Sequence, residues 1–293
     1  MILSTAIYNI SGILDAQLYS TTMARAFNQS SSDTAAQYGS YTGYFKTLAN
    51  IPIAISNAIS SSMIPVMARY ASSGEEQELH KSISMGLRFA VLIGMPCSVG
   101  LTVLGGPIIT VLFGENVLAS NMTVIGSFAV LFYSISTITN AVLQGSNHMR
   151  LPVIHAAVSL VLHALILVAC MLLFNLGIYS VVISYMLFAF FMCIMNAISI
   201  KRHLGYRQEI RRTFVLPFIC SLVMGGSTYA LKIVLQTYIT RNSYIITALC
   251  ILLAVVLYAF LIFITGCISA DELRSFPYGR KLVRIGMKLH LIR

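Results

Sequence analysis

The chain has 293 residues, of which 57% are hydrophobic and 10% charged, with a formal net charge of +10. That composition leaves too little polar surface to coat a water-soluble globule, so the fold class is all-α: a polytopic helix bundle with lipid as its solvent. A basic excess would point to nucleic acid in a soluble protein, but here it borders apolar stretches and no recognition motif accompanies it; nucleic acid is excluded as a partner and anionic lipid headgroups are expected instead.

About eight apolar stretches of membrane-spanning length follow one another, at 2–23, 44–68, 86–113, 121–143, 151–174, 178–200, 214–235 and 244–266. In the first, Ser4, Tyr8, Ser11, Asp15 and Thr22 fall on one helical face, interrupted by Leu18. An ionised carboxylate at mid-span costs about 2.5 to 3.5 kcal/mol, so Asp15 is expected to face a wet cavity, find a cation or be protonated. Its polar neighbours favour the cavity over a helix-packing hydrogen bond. A polar connection rich in Ser and Gln, 24–40, separates this span from the next.

The second span carries the opposite charge. Lys46, Asn50, Asn57 and Ser61 lie within about 60 degrees of arc at 100 degrees per residue, a cationic, hydrogen-bonding stripe. Pro52 and Pro65 interrupt the hydrogen-bond ladder and suggest a helix able to bend. The competing reading lets Lys46 snorkel to the outer interface. The following connection sets Glu75, Glu76 and Glu78 against Lys81, with Ser73 as a candidate helix cap.

Signals weaken further on. Gly105-Gly106-Pro107 and Gly225-Gly226 lack the context of a phosphate loop and read as hinge or packing glycines. Asn140 and Gln144, one turn apart, read as glue between helices. His155 and His163 in the fifth span have no Cys, Asp or Glu at ligand spacing, so they read as packing histidines rather than a proton relay, and neither a metal nor another cofactor is expected. Six cysteines, Cys97, Cys170, Cys193, Cys220, Cys250 and Cys267, sit in or at the ends of spans with no CxxC pair, which argues against a disulfide framework. In the tail, 271–293, Leu282, Ile285, Leu289 and Ile292 recur at helical spacing beside Lys281, Arg284 and Lys288, the pattern of a basic amphipathic helix lying on anionic lipid.

Charge sets orientation. Arg69, Lys81 and Arg88, then Arg150, then Lys201, Arg202, Arg207, Arg211 and Arg212, then the basic tail occupy alternate connections, leaving only Arg25, Lys46, Lys232 and Arg241 elsewhere. The positive-inside rule then places both termini in the cytoplasm, with the protein in the plasma membrane. No charged n-region marks a cleavable signal, so the first span inserts as it stands or follows upstream sequence.

The stretch YGSYTGYFKTLANIPIAISNAISSSMIPVMARYASSGE, 38–75, with LQGSNHMRLPVIHA, 143–156, and the closing DELRSFPYGRKLVRIGMKLHLIR, resembles the polysaccharide-biosynthesis flippases of the multidrug/oligosaccharidyl-lipid/polysaccharide exporter superfamily, of the stage V sporulation protein B type. The resemblance implies about fourteen spans in two six-helix lobes plus two helices, around a cavity opening alternately to each side. Residues 1–200 then correspond to the second lobe, 201–270 to the two additional helices and 271–293 to the tail. No first lobe is present, so a partial chain or half of an assembly is expected. The resemblance further implies an undecaprenyl-linked saccharide or peptidoglycan precursor as substrate, for wall, polysaccharide or spore-cortex synthesis, with Lys46 where a pyrophosphate-binding residue belongs.

Three other functions compete with this flippase. A cation-coupled multidrug exporter of the same superfamily would use Asp15 to carry its ion. A membrane-embedded glycosyltransferase needs a metal-binding carboxylate cluster or an acid/base pair, and the only dense acidic group, 75–78, is flanked by Lys81, so an enzyme is not expected. A non-transporting scaffold is the fourth.

Overall fold

A computed structural model of the protein describes residues 2–239 and 242–267, with side chains from Ile10 onward. The predicted amphipathic tail helix and the side chains of Ser4 and Tyr8 lie outside the described residues. The described part is helical throughout and divides between Arg207 and Gln208 into two compact units.

The first unit contains α1 (Ile2–Phe27), α2 (Ser31–Ser40), a π-helical turn (Tyr41–Lys46), α3 (Thr47–Ser73), α4 (Glu76–Phe113), α5 (Val117–Ile125), α6 (Ala129–Gly145), α7 (Arg150–Phe174) and α8 (Ile178–Leu204). The second contains a π-turn at Arg211–Val215, α9 (Leu216–Val234), a π-turn at Leu235–Ile239 and α10 (Ser243–Thr265). Six helical stretches, 31–73, 76–113, 150–174, 178–204, 211–238 and 243–265, are long and apolar enough to cross a membrane, and the bent pair α5 and α6 makes a seventh. The eighth expected span, α1, is long enough at 26 residues but is not among those apolar enough, because Asn9, Asp15, Gln17 and several hydroxyl residues dilute it. Exposed apolar side chains line α7 (Ile154, Val158, Val161, Leu165, Leu172), α9 (Ile219, Leu222, Val223) and α10 (Leu252, Val255, Val256), the surfaces that lipid would cover.

Two local features depart from the sequence reading. The expected polar loop 24–40 is mostly helix: α1 runs to Phe27 and α2 begins at Ser31. Ser30 starts α2 as its cap, accepting from the Asp33 amide at 3.1 Å and donating to the Asp33 carboxylate at 2.7 Å. From there the chain stays helical to Ser73, straight through Pro52 and Pro65; the irregular backbone is the π-turn that ends at Lys46. At its far end α3 stops where Gly74 takes φ +74, a left-handed cap in which the Glu75 amide reaches back to the Tyr70 carbonyl.

The expected continuous span 121–143 is broken by 48° between α5 and α6. A Cβ on Gly126 would stand 2.5 Å from the Phe45 ring and 2.7 Å from Val182, so only glycine lets Phe45 fill the bend. A backbone group that the break releases is recovered by α4, where Ser98 Oγ accepts from the Leu131 amide at 3.2 Å, and the Thr102 and Ser127 hydroxyls bond each other at 2.8 Å. Helix α6 is buried along almost its whole length, packed against α3, α4 and α8. Gly145 brings it into close contact with α3, where an added Cβ would lie 2.8 Å from the Ile64 carbonyl oxygen. The α6–α8 core thus sits beneath the π-turn and holds Phe45, next to Lys46, in a fixed position.

Candidate functional site

The π-turn packs against α2, α3 and α5 and brings Tyr41, Phe45 and Lys46 to Tyr185 of α8. Tyr41 and Phe45 are fully buried and meet Tyr185 of α8 edge-on, at centroid distances of 6.3 and 6.1 Å. Tyr185 stacks on Tyr133 of α6 at 4.4 Å. The Lys46 ammonium lies 5.7 Å from the centre of the Tyr41 ring and 5.2 Å from that of Tyr185, close enough for cation–π attraction to both. Rather than snorkelling away, Lys46 is half-buried over a tyrosine platform.

Beneath that platform an acid meets a base. Asp15 of α1 and His163 of α7, separated by 148 residues, are each 1% exposed and are hydrogen-bonded through Oδ1 and Nε2. Asp15 Oδ2 has no hydrogen-bond partner among the described residues, His163 Nδ1 faces the Ser184 backbone, and the His163 ring stands edge-on to Phe188. Lys46 is near enough to both to interact with them electrostatically, as are the Tyr38 and Tyr41 phenols with Asp15. The rim is braced by Tyr38, whose hydroxyl donates to the Gly12 carbonyl at 2.9 Å, and by Tyr19, which donates to Gln37. The arrangement holds one fixed cation, one carboxylate and one imidazole that can gain or lose a proton without leaving its partner.

The predicted site residues thus divide. Asp15 and Lys46, placed on two faces by their spacing, come together in one cluster, and Ser11 is buried on α1 one turn before Asp15. Where a wet cavity was expected to face Asp15, His163 of α7 meets its Oδ1. Asn50, Asn57 and Ser61 are exposed along α3, and the Ser61 hydroxyl donates to the Asn57 carbonyl at 2.9 Å. Tyr8 lies on α1 with its side chain outside the described residues.

A second polar centre lies among α6, α7 and α8. His155 Nδ1–H donates to Asn196 Oδ1 at 2.7 Å, and Asn196 Nδ2 donates to Thr139 at 2.9 Å and Asn140 at 2.8 Å. Ser199 closes the network on His155 Nε2 at 3.1 Å. The acceptor-only amide oxygen fixes the Nδ1–H tautomer, leaving Nε2 to accept. This network binds three helices together, the packing role expected of Asn140 and His155. Asn196 was missed because a lone amide in an apolar run has no distinguishing pattern. In the second unit, Glu209, Arg211, Arg212, Leu216, Thr265 and Gly266 line a cavity of about 610 Å³, suited by its arginines to an anionic headgroup.

Comparison with known proteins gives a consistent picture. A family model described as the lipid II flippase MurJ matches residues 1–250. The lipid II flippase MurJ of Bacillus subtilis is 26% identical over 208 residues, covering 67% of this chain and 37% of that protein. Stage V sporulation protein B of the same organism is 22% identical over 251 residues, 85% of this chain and 47% of that one. The chain therefore spans less than half the length of these relatives. In three dimensions, a solved lipid II flippase MurJ in an inward closed conformation superposes with a TM-score of 0.68 at 16% identity, over 88% of this chain and 51% of that one. A multidrug resistance MATE family transporter in an outward-facing conformation gives 0.56 at 11%, over 94% and 65%. The all-α bundle expected from hydropathy thus shares its fold with these two solved structures.

Proposed function

The chain belongs to the lipid II flippase MurJ family, and on that premise we propose that it forms one half of a flippase carrying an undecaprenyl-linked saccharide or peptidoglycan precursor across the plasma membrane. Because the chain spans less than half the length of its curated relatives, a first lobe, from upstream sequence or another polypeptide, completes the cavity. Both termini face the cytoplasm, and the basic tail rests on anionic lipid. Wall or spore-cortex synthesis consumes the product, and the chain itself performs no covalent chemistry.

The observation that carries this reading is Lys46 on its tyrosine platform, at the head of an α3 face bearing exposed Asn50, Asn57 and Ser61. A transported headgroup must exchange its hydration for protein donors, and an ammonium followed by amides along one helix supplies them to a pyrophosphate and its sugars. The cation–π contacts hold the ammonium without neutralising it, so its charge stays available to an anion.

A second reading, a cation-coupled drug exporter, draws on the buried Asp15–His163 pair. The two are separated by complementation of a flippase-depleted strain with the chain joined to a first lobe. Lys46→Ala is expected to abolish growth at undiminished membrane abundance, and Lys46→Arg to retain part of it. Normal growth with Lys46→Ala, together with drug efflux lost in Asp15→Asn, would reverse the ranking.

A further inference from the structure

We propose, resting on the reading of Lys46 as the headgroup-binding cation, that His163 takes up a proton when Lys46 engages an anionic headgroup, so that proton and headgroup bind cooperatively. Asp15 of α1 and His163 of α7 form a buried pair, and the half-buried Lys46 of the π-turn interacts electrostatically with both. With the imidazole neutral, the carboxylate and the ammonium cancel; with the imidazolium, the group carries one positive charge. An uncompensated charge in a low-dielectric interior is costly, so the proton count of the pair responds to charge added or removed beside it.

An anion on Lys46 changes that balance by adding negative charge beside the pair. The compensating proton enters at His163 Nδ1, which faces the Ser184 backbone and donates to it once protonated. The Asp15–His163 bond survives in both states, so uptake requires no helix to move. Among the described residues, the other ionisable side chains interacting with the pair are Tyr38 from α2 and Tyr41 from the π-turn, phenols that carry no charge in either state. By linkage the effect is reciprocal: protonation of His163 tightens the grip of Lys46 on the anion.

The test is calorimetric titration of the purified full chain with farnesyl pyrophosphate, a water-soluble polyprenyl pyrophosphate, in two buffers of different ionisation enthalpy. Uptake is expected to approach one proton per ligand more in wild type than in His163→Gln. Affinity should fall by up to about tenfold per pH unit across the range of that uptake, with a flatter profile in the variant. Proton uptake equal in both proteins overturns the proposal; the ligand's own ionisation is common to both and cancels in the difference. Should His163→Gln not survive purification, the His163 ring signal in an isotope-labelled wild-type sample, with and without ligand, decides the same question. Absence of farnesyl pyrophosphate binding would instead remove the Lys46 reading. The electrostatic coupling is then judged without ligand: Lys46→Met is expected to raise the protonated fraction of His163 at neutral pH, and an unchanged fraction overturns it.

Discussion

The Asp15–His163 pair makes an unequal demand on its two members, and stability measurements should reveal it. His163→Leu leaves a carboxylate whose Oδ1 has lost its partner and whose Oδ2 has none among the described residues, with Lys46 nearby to compensate in part. Breaking a buried pair in this way costs about 3 to 5 kcal/mol. Asp15→Asn keeps an acceptor for the imidazole N–H and removes the charge, so it should cost less, about 1 to 3 kcal/mol. Replacing both, Asp15→Leu with His163→Leu, removes the uncompensated charge and should recover much of the loss seen in His163→Leu alone. The free cysteines Cys97, Cys170, Cys193, Cys220, Cys250 and Cys267 allow thermal unfolding in detergent to be followed with a thiol-reactive dye. Equal losses in the two single variants, or a double variant no better than His163→Leu, would show that the pair is not held by charge and would refute the reasoning.

Three further outcomes are expected. Asn196→Asp should destabilise the α6–α7–α8 junction more than Asn196→Ala, in the same unfolding assay, because it turns a donor to Thr139 and Asn140 into a second acceptor and buries a charge; the reverse order would dismiss the network. Reporters placed after Arg293 and in the connection 72–82 should both read cytoplasm, and one at 28–33 outside, an external signal from the Arg293 fusion meaning a span count wrong by an odd number. A peptide of residues 277–293 should bind anionic vesicles, release as salt rises and bind neutral vesicles poorly, since each basic residue near an anionic surface contributes roughly 1 kcal/mol; equal binding to both vesicle types removes the charge argument.

Much of the bundle was legible in the chain because lipid imposes a one-dimensional constraint. A span must be about twenty apolar residues long and its backbone must bond within itself, so the stretches seen at 151–174, 178–200 and 244–266 reappear as α7, α8 and α10 within a few residues, and 86–113 lies inside the longer α4. The facial clustering of Ser11 and Asp15 on the first helix follows from helical periodicity alone, and the structure buries both.

What only the tertiary structure decided are the features that depend on partners distant in sequence. The bend between α5 and α6 exists because Phe45 and Val182 crowd Gly126 and because Ser98 serves the Leu131 amide, and nothing within 121–143 announces either. The π-turn that tips Lys46 over Tyr185 involves a ring 139 positions further along the chain. Asp15 read alone as a charge in need of water, and His163 read alone as a packing residue, because each was judged against its own helix. Local spacing records which face of a helix a side chain occupies, but a buried charge is compensated by whatever the fold brings to that face, and that is a property of three-dimensional packing.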